Sequence, residues 1–383
     1  LGEDLGKLEE SVPDLARQQK AREYSKLRRR GLIIELGIGV ILLLALVLTP
    51  ASTKLASFLA FPFPWSAVPY MLILAAAHRV ITAPMGYYYN FILPHRYGLS
   101  KQDLVSWLWD KVKAAALQLF LVLCLIIVVY WLIGNIPELW WLAVALIISL
   151  VSLILTWLTP IFLIPLFFKL KPLEEGGLKQ KLVGLARRAG FDINECLTMD
   201  LSSKVTTANA LLSGWGRSRR IIFSDTLLEG YSWNEIEVTL AHELGHRLHH
   251  DIPKFIGIQT VTFLLAFYLT ALALRVGVTI FSLQGLSDIA GLPWLILVLA
   301  ILILLLQPAL NWYNRRIERA ADKTALALSD NPQAFISLMT KLTDQNLNEA
   351  EPSRWAKLLF YDHPTYNERI KLAHNYISRI DTN

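Results

Sequence analysis

Six stretches of this chain are long and apolar enough to cross a lipid bilayer, and they leave few alternatives for its architecture. They run roughly over Gly31–Pro50, Ser66–Tyr87, Ala114–Ile133, Trp140–Phe168, Phe255–Val276 and Trp294–Leu310. Hydrocarbon offers no water to backbone amides, so a spanning segment must satisfy its hydrogen bonds internally, which takes about twenty apolar residues of helix. The stretch Thr53–Trp65, interrupted by Pro62 and Pro64, is too short and reads as interfacial. Composition agrees: 54% of residues are apolar, only 18% are charged, and mean hydropathy is +0.42. Disordered, collagenous and coiled-coil chains are excluded, since each is more polar or more periodic. A wholly soluble globule would lack the charge to cover its surface.

Charge orients the spans. A basic block from Arg17 to Arg30 precedes the first, and the connection between the second and third carries His95, Arg96, Lys101, Lys111 and Lys113. The insert Lys169–Lys254 and the C-terminal tail are also rich in Lys and Arg, whereas the alternate loops hold almost none apart from Lys54. Positive loops stay on the cytoplasmic side, so this alternation places the N-terminus, the insert and the C-terminus there. It also accounts for the net charge of +6 without nucleic acid as a partner. The polar stretch before the first span does not resemble a cleaved signal peptide. Two cysteines, Cys124 and Cys196, are too few and too far apart for a disulfide framework or a metal site.

The expected organisation has five parts. Residues 1–30 form a basic cytoplasmic segment, and 31–168 a membrane domain of about four spans. Residues 169–253 form a cytoplasmic-side soluble domain, 254–310 two further spans, and 311–383 the remainder of that domain. In the insert, Pro172–Gly190 has helical periodicity, and Glu195–Leu201, Val205–Leu212 and Arg219–Ser224 read as short strands, with Gly214 and Gly216 turning into the last. The tail 311–380 reads as helical, with a loop at Asn346–Ser353. The fold class is therefore an all-α-dominated polytopic membrane protein whose α+β domain carries a small sheet.

The chemistry is concentrated in Thr239-Leu-Ala-His-Glu-Leu-Gly-His246. Histidines four residues apart on a helix share a face, so His242 and His246 can bind one metal, and Glu243 falls where it can reach an activated water. This HExxH pattern is a strong signal for zinc and for Glu243 as general base. A catalytic zinc needs a third protein ligand, for which Glu318 in Asn311-Trp-Tyr-Asn-Arg-Arg-Ile-Glu-Arg-Ala-Ala-Asp322 is the candidate. Asp322, one turn on, could hold the second nitrogen of a ligand histidine. Spacing alone equally allows Glu318 and Asp322 to pair with Arg315, Arg316 or Arg319 on a solvated helix. His249 and His250 read as helix-end residues rather than ligands.

"HELGH" and "NWYNRRIERAAD" resemble motifs of the integral-membrane zinc proteases that include the CAAX prenyl proteases and the HtpX-like heat-shock proteases. Further similarity runs through residues 83–113, 159–191, "ANALLSGWGRSRRIIFSDTLLE" (208–229) and "HPTYNER" (363–369), in family order, and favours the CAAX branch. The resemblance implies a zincin-like catalytic domain with one Zn2+ on His242, His246 and Glu318, and Glu243 as the base. It implies that His363 and Arg369 sit at the site, His363 helping to stabilise the oxyanion, and that Asn209 and Ala210 lie on a substrate-binding edge strand. Thr207-Ala208 and Arg247-Leu-His-His-Asp251 depart from the CAAX pattern beside the substrate groove, and leave prenyl-peptide specificity open. The expectation is a membrane zinc metalloendopeptidase acting on a peptide or protein substrate, lipidated or membrane-bound, in contact with membrane lipid. Membrane-protein quality control is the alternative, and a zinc-stabilised scaffold the less favoured one, because such a site needs four closed ligands and no adjacent base.

Overall fold

The computed structural model describes residues 12–59, 61–62, 65–193, 195–213 and 220–380. The first membrane part is built from α1 (Leu15–Leu48), a short α2 (Ala51–Phe58) and α3 (Ala67–Tyr87), which continues through a π-helical turn at Tyr88–Ile92 into α4 (Leu93–Arg96). Helix α5 (Leu104–Asn135) starts where the Asp103 carboxylate accepts the Ser106 amide. Helix α6 (Trp140–Leu158) passes through a second π-helical turn, Thr159–Leu163, into α7 (Ile164–Phe167). Prolines sit at both wide turns, Pro94 just after the first and Pro160 within the second. A proline lacks the amide of the regular helix, and a wider turn absorbs the mismatch.

Next comes β1 (Leu170–Pro172), α8 (Gly177–Arg188), β2 (Glu195–Met199), β3 (Ala210–Ser213), β4 (Arg220–Ser224), α9 (Asp225–Gly230) and α10 (Trp233–Leu248). The chain returns through the membrane in α11 (Asp251–Ile280) and α12 (Leu292–Ser329), and ends in α13 (Pro332–Gln345), α14 (Arg354–Phe360) and α15 (Tyr366–Ile380). Among the described residues, 6 helices are long and apolar enough to span a bilayer, matching the six apolar segments. Helices α1 and α12 extend well beyond those segments on the side of the insert. The stretch read as interfacial overlaps α2 over residues 53–58.

The sheet has the order β1-β2-β4-β3, with β2 and β4 parallel and the outer pairs antiparallel. Two expectations need correction. The strand read over Val205–Leu212 forms only at Ala210–Ser213, because Val205 bridges to Ser100 and its segment closes a turn instead. Strand β1 was not anticipated: three residues ending in proline carry no alternating pattern, and Pro172 is tolerated because β1 lies at the sheet edge. The expected turn at Gly214 and Gly216 lies outside the described residues.

Two apolar cores result. Tyr70, Tyr130, Trp140, Phe267 and Leu292 pack between the membrane helices. Leu182 and Leu185 of α8, Ile221 and Phe223 of β4, Leu240 and Leu244 of α10, Ala325 of α12 and Phe335 of α13 form the other. This second core holds α10 between the sheet and α12, and so fixes the face α10 presents.

Candidate active site

Helix α10 starts on a capping box: Ser232 accepts the Glu235 amide, and Glu235 accepts the Ser232 amide at 2.7 Å. Ser337 and Lys341 of α13 hold the buried Glu235 carboxylate at 2.6 and 2.8 Å, so the helix is anchored at its first turn. Its far end passes unusually close to α12. A Cβ at Gly245 would lie 3.0 Å from the Ala321 Cα and 3.1 Å from its carbonyl oxygen. Only glycine permits that approach.

The approach brings His242, His246 and Glu318 together, with one ligand atom from each lying within 4.8 Å of the others. The two Nε2 atoms are 3.2 Å apart, and the Glu318 carboxylate oxygens stand 3.3 Å from His242 Nε2 and 3.5 Å from His246 Nε2. Each histidine spends its other nitrogen on a carboxylate: His242 Nδ1 is 3.0 Å from Asp322, and His246 Nδ1 is 3.0 Å from Asp251. A carboxylate only accepts, so both Nδ1 atoms donate and both Nε2 lone pairs turn toward Glu318. Among the described residues, the buried Glu318 Oε2 has no hydrogen-bond partner. Two lone pairs and an orphaned carboxylate oxygen converging on one point require positive charge there. Burial opposes a proton on His242, but Asp322 and Glu318 outweigh burial and raise its pKa to about 10. A divalent cation satisfies the same donors, displacing that proton on binding. The donor set, two imidazoles and a carboxylate, fits zinc.

Asp322 is fully buried and also receives two N–H groups of Arg369, from Nε at 2.9 Å and from the guanidinium end. The alternative in which Glu318 and Asp322 pair with neighbouring arginines is not realised. Arg315 donates to the backbone of Lys357 and Tyr361, and Arg319 to Glu368. His363 lies with Nε2 3.5 Å from Glu318 Oε1, its ring 58% exposed, and Nδ1 2.8 Å from Asp362. The Asp362 hydrogen bond raises the His363 pKa against burial. His249 ends α10 and bonds Thr324 at 2.8 Å, and His250 takes φ 53° between α10 and α11.

Glu243 faces a cavity of about 700 Å³ that is also lined by Asn209, Ala210, His242, His363 and Arg369. Its Oε2 accepts the Leu212 amide at 3.4 Å. Asn209 directly precedes β3, and its amide donates to Ser224 Oγ at 2.9 Å, while its side chain accepts the Ala210 amide at 2.8 Å. Strand β3 is the last strand of the sheet, and its Leu212 carbonyl accepts Arg247 Nη2 at 3.2 Å. The far wall of the cavity comes from α1, through Tyr24, Ser25, Arg28, Arg29 and Leu32.

Sequence reasoning missed two features. Asp251 was quoted as part of a variant motif and not as a partner of His246, although a ligand histidine needs such a partner and Asp251 is the nearest following carboxylate. The α1 wall left no signal, because a contact across some 200 residues or more imposes no local pattern.

Comparisons with known proteins converge on one family. Residues 7–169 match the sequence model described as "CAAX prenyl protease N-terminal, five membrane helices", and residues 172–377 match "Peptidase family M48". Within the first match this chain has four helices of spanning length and the short α2. The Bacillus subtilis protein named "Uncharacterized metalloprotease YhfN" is 27% identical over 360 residues, 92% of this chain and 84% of that protein. The "CAAX prenyl protease 1 homolog" of Oryza sativa subsp. japonica is 29% identical over 302 residues, 76% of this chain and 69% of that protein. The crystal structure of S. mikatae Ste24p has the same fold, with a TM-score of 0.82 over 95% of this chain and 92% of that one at 23% identity. The chain thus belongs to peptidase family M48, as a membrane-embedded member of the CAAX-protease group whose His–His–Glu cluster is that of a metal-dependent endopeptidase.

Proposed function

We propose that the protein is a zinc endopeptidase that cleaves an extended, membrane-associated peptide from the cytoplasmic side, with Glu243 as general base. The observation that carries this reading is the convergence of His242, His246 and Glu318 beside a cavity that Glu243 shares with Asn209 and Ala210 at the start of the edge strand β3. When bound, zinc lowers the pKa of a coordinated water to about 7 and polarises the substrate carbonyl. Glu243 takes the proton of the attacking water and passes it to the departing amine. His363 donates toward the developing oxyanion, and its contact with Asp362 favours the protonated ring that such a donor requires. Asn209 and Ala210 hold the peptide as an added strand against β3. Asp322 and Asp251 fix the tautomers of His242 and His246, and Arg369 holds Asp322 in place.

The basic faces of the N-terminal segment and the insert support a cytoplasmic site, and reporter fusions at both termini test that orientation. A lipidated substrate is supported by Leu32, an α1 residue within the first apolar segment that lines the cavity. The experiment is cleavage of a quenched peptide with and without a farnesyl group on a cysteine near its C-terminus. A higher kcat/KM for the lipidated peptide supports processing of the CAAX type. Equal rates support quality control, and no cleavage of either by zinc-loaded protein counts against both.

A further inference from the structure

Helix α10 holds strand β3 by polar contacts as well as by apolar packing. In an antiparallel pair, alternate residues turn their backbone groups toward the partner strand and away from it. The Asn209 carbonyl accepts the Ser224 amide at 2.9 Å, so Asn209 faces β4, and by alternation Ala210 and Leu212 face outward. Outward groups are the ones an added peptide strand bonds. At Leu212 both are occupied from α10: the amide donates to Glu243 Oε2 at 3.4 Å, and the carbonyl accepts Arg247 Nη2 at 3.2 Å. At Ala210 the Asn209 side chain accepts the amide at 2.8 Å, and the carbonyl has no partner among the described residues.

The two contacts at Leu212 differ in how readily they yield. The Glu243 contact is long for a hydrogen bond, and a base that turns to its water gives it up. The Arg247 contact is charge-assisted, roughly twice as strong as the neutral bond that a peptide amide would offer in its place. Its helix is also fixed, by the core shared with the sheet and by the close approach of Gly245 to α12. A peptide laid along β3 therefore meets one open acceptor at Ala210 and a closed one at Leu212.

We infer that Arg247 is a register stop, a specificity-determining residue that caps the outward carbonyl of Leu212 so that a bound peptide pairs with β3 at Ala210 and no further. Arg247 does not line the cavity, and it acts on the peptide by withholding an acceptor rather than by touching a side chain. The inference rests on the endopeptidase reading and adds a rule to it. The protein reads the peptide backbone over a short stretch, and beyond that stretch loss of a backbone amide goes unnoticed.

The test is a backbone N-methyl scan of the quenched peptide, each analogue lacking one amide donor, with full-length zinc-loaded protein in detergent. A strand paired at both outward carbonyls donates from two amides spaced two residues apart. The expected result in the wild type is one sensitive donor, opposite Ala210, where methylation raises KM about fivefold, the size of one hydrogen bond. Arg247→Ala is expected to create a second sensitive position two residues away and to lower KM for the unmethylated peptide about fivefold, the change falling on KM rather than kcat. Two sensitive positions in the wild type would show that the peptide displaces Arg247 and would overturn the stop, whether or not Arg247→Ala folds. An equal rise in KM for every analogue in Arg247→Ala, or a pattern unchanged from the wild type, would reduce Arg247 to a staple between α10 and β3 and overturn it likewise. Binding of fluorescent analogues to zinc-loaded Glu243→Gln protein, with and without Arg247→Ala, gives the same decision if no peptide is cleaved. Peptides that are neither bound nor cleaved would overturn the endopeptidase reading and the stop with it, whereas a two-position pattern overturns the stop alone.

Discussion

Gly245→Ala, one added methyl group, should disturb the metal centre without touching a ligand. The new Cβ would lie 3.0 Å from the Ala321 Cα and 3.2 Å from Thr324 Cβ, where ordinary contact begins at 3.4 Å. Two of the three nearest atoms are backbone, so relief requires α12 to retreat by about 0.4 Å or more relative to α10, since no side chain can rotate away from that backbone. Overpacking of this kind costs about 1–3 kcal/mol of stability. The effect on metal is larger in proportion, because Glu318 rides on α12, His242 and His246 ride on α10, and ligand distances tolerate only about 0.2 Å. Zinc affinity should fall at least about tenfold, the scale seen when the surroundings of a metal ligand are disturbed. Competition with a chromophoric chelator measures the affinity, and thermal unfolding in detergent measures the stability. Gly257→Ala, where nothing lies within 4 Å of the new Cβ, is the matched control and should leave both unchanged. Wild-type zinc affinity in Gly245→Ala would refute the claim that close helix approach sets the site.

Other perturbations separate the supporting groups. Asp251→Ala removes the acceptor of His246 Nδ1 and should lower zinc affinity about 10–100-fold while the ligands remain, read by the same chelator competition; unchanged affinity would show that Asp251 does not orient the ring. Glu368 is held by Lys357 at 2.8 Å, Arg319 at 2.7 Å and the Thr365 amide at 3.1 Å. Partial burial opposes its ionisation, but these partners outweigh burial and lower its pKa from 4.5 to about 2. Its folded-state pKa is depressed, so its contribution is present above about pH 4.5 and is lost as pH falls toward 2. Glu368→Gln should therefore be less stable than the wild type at pH 7 and approach it near pH 2, with exposure of the pair keeping the difference modest. A difference in melting temperature that is the same at both pH values would contradict this linkage.

The membrane architecture was legible because hydrocarbon imposes its demand locally: each span must carry its own apolar composition and satisfy its own backbone. The metal pair was legible for a similar reason, since His242 and His246 are set in register by one helix turn. Glu318 could be nominated but not decided from spacing. Its meeting with the histidines depends on Gly245 opposite Ala321, a contact between helices separated in sequence by the whole of α11. Asp251 was overlooked because it lies beyond the end of α10, after the left-handed His250, where helical periodicity no longer predicts direction. The basic block was read through its charge alone. Its second role, as the wall that brings Tyr24, Arg28 and Leu32 to the cavity, depends on packing against residues 300 or more positions away, such as Glu349. Strand β3 came out shorter than its β-prone sequence because Thr206 and Val205 are held by Leu99 and Ser100 instead.

The central claim is that His242, His246 and Glu318 hold one catalytic zinc with Glu243 as its base. Metal quantification on the purified protein, paired with peptide hydrolysis by the wild type and Glu243→Gln, addresses it directly. The account predicts about one zinc per chain in both proteins, with hydrolysis confined to the wild type. Folded protein that retains no zinc, or Glu243→Gln protein that cleaves at the wild-type rate, would contradict it.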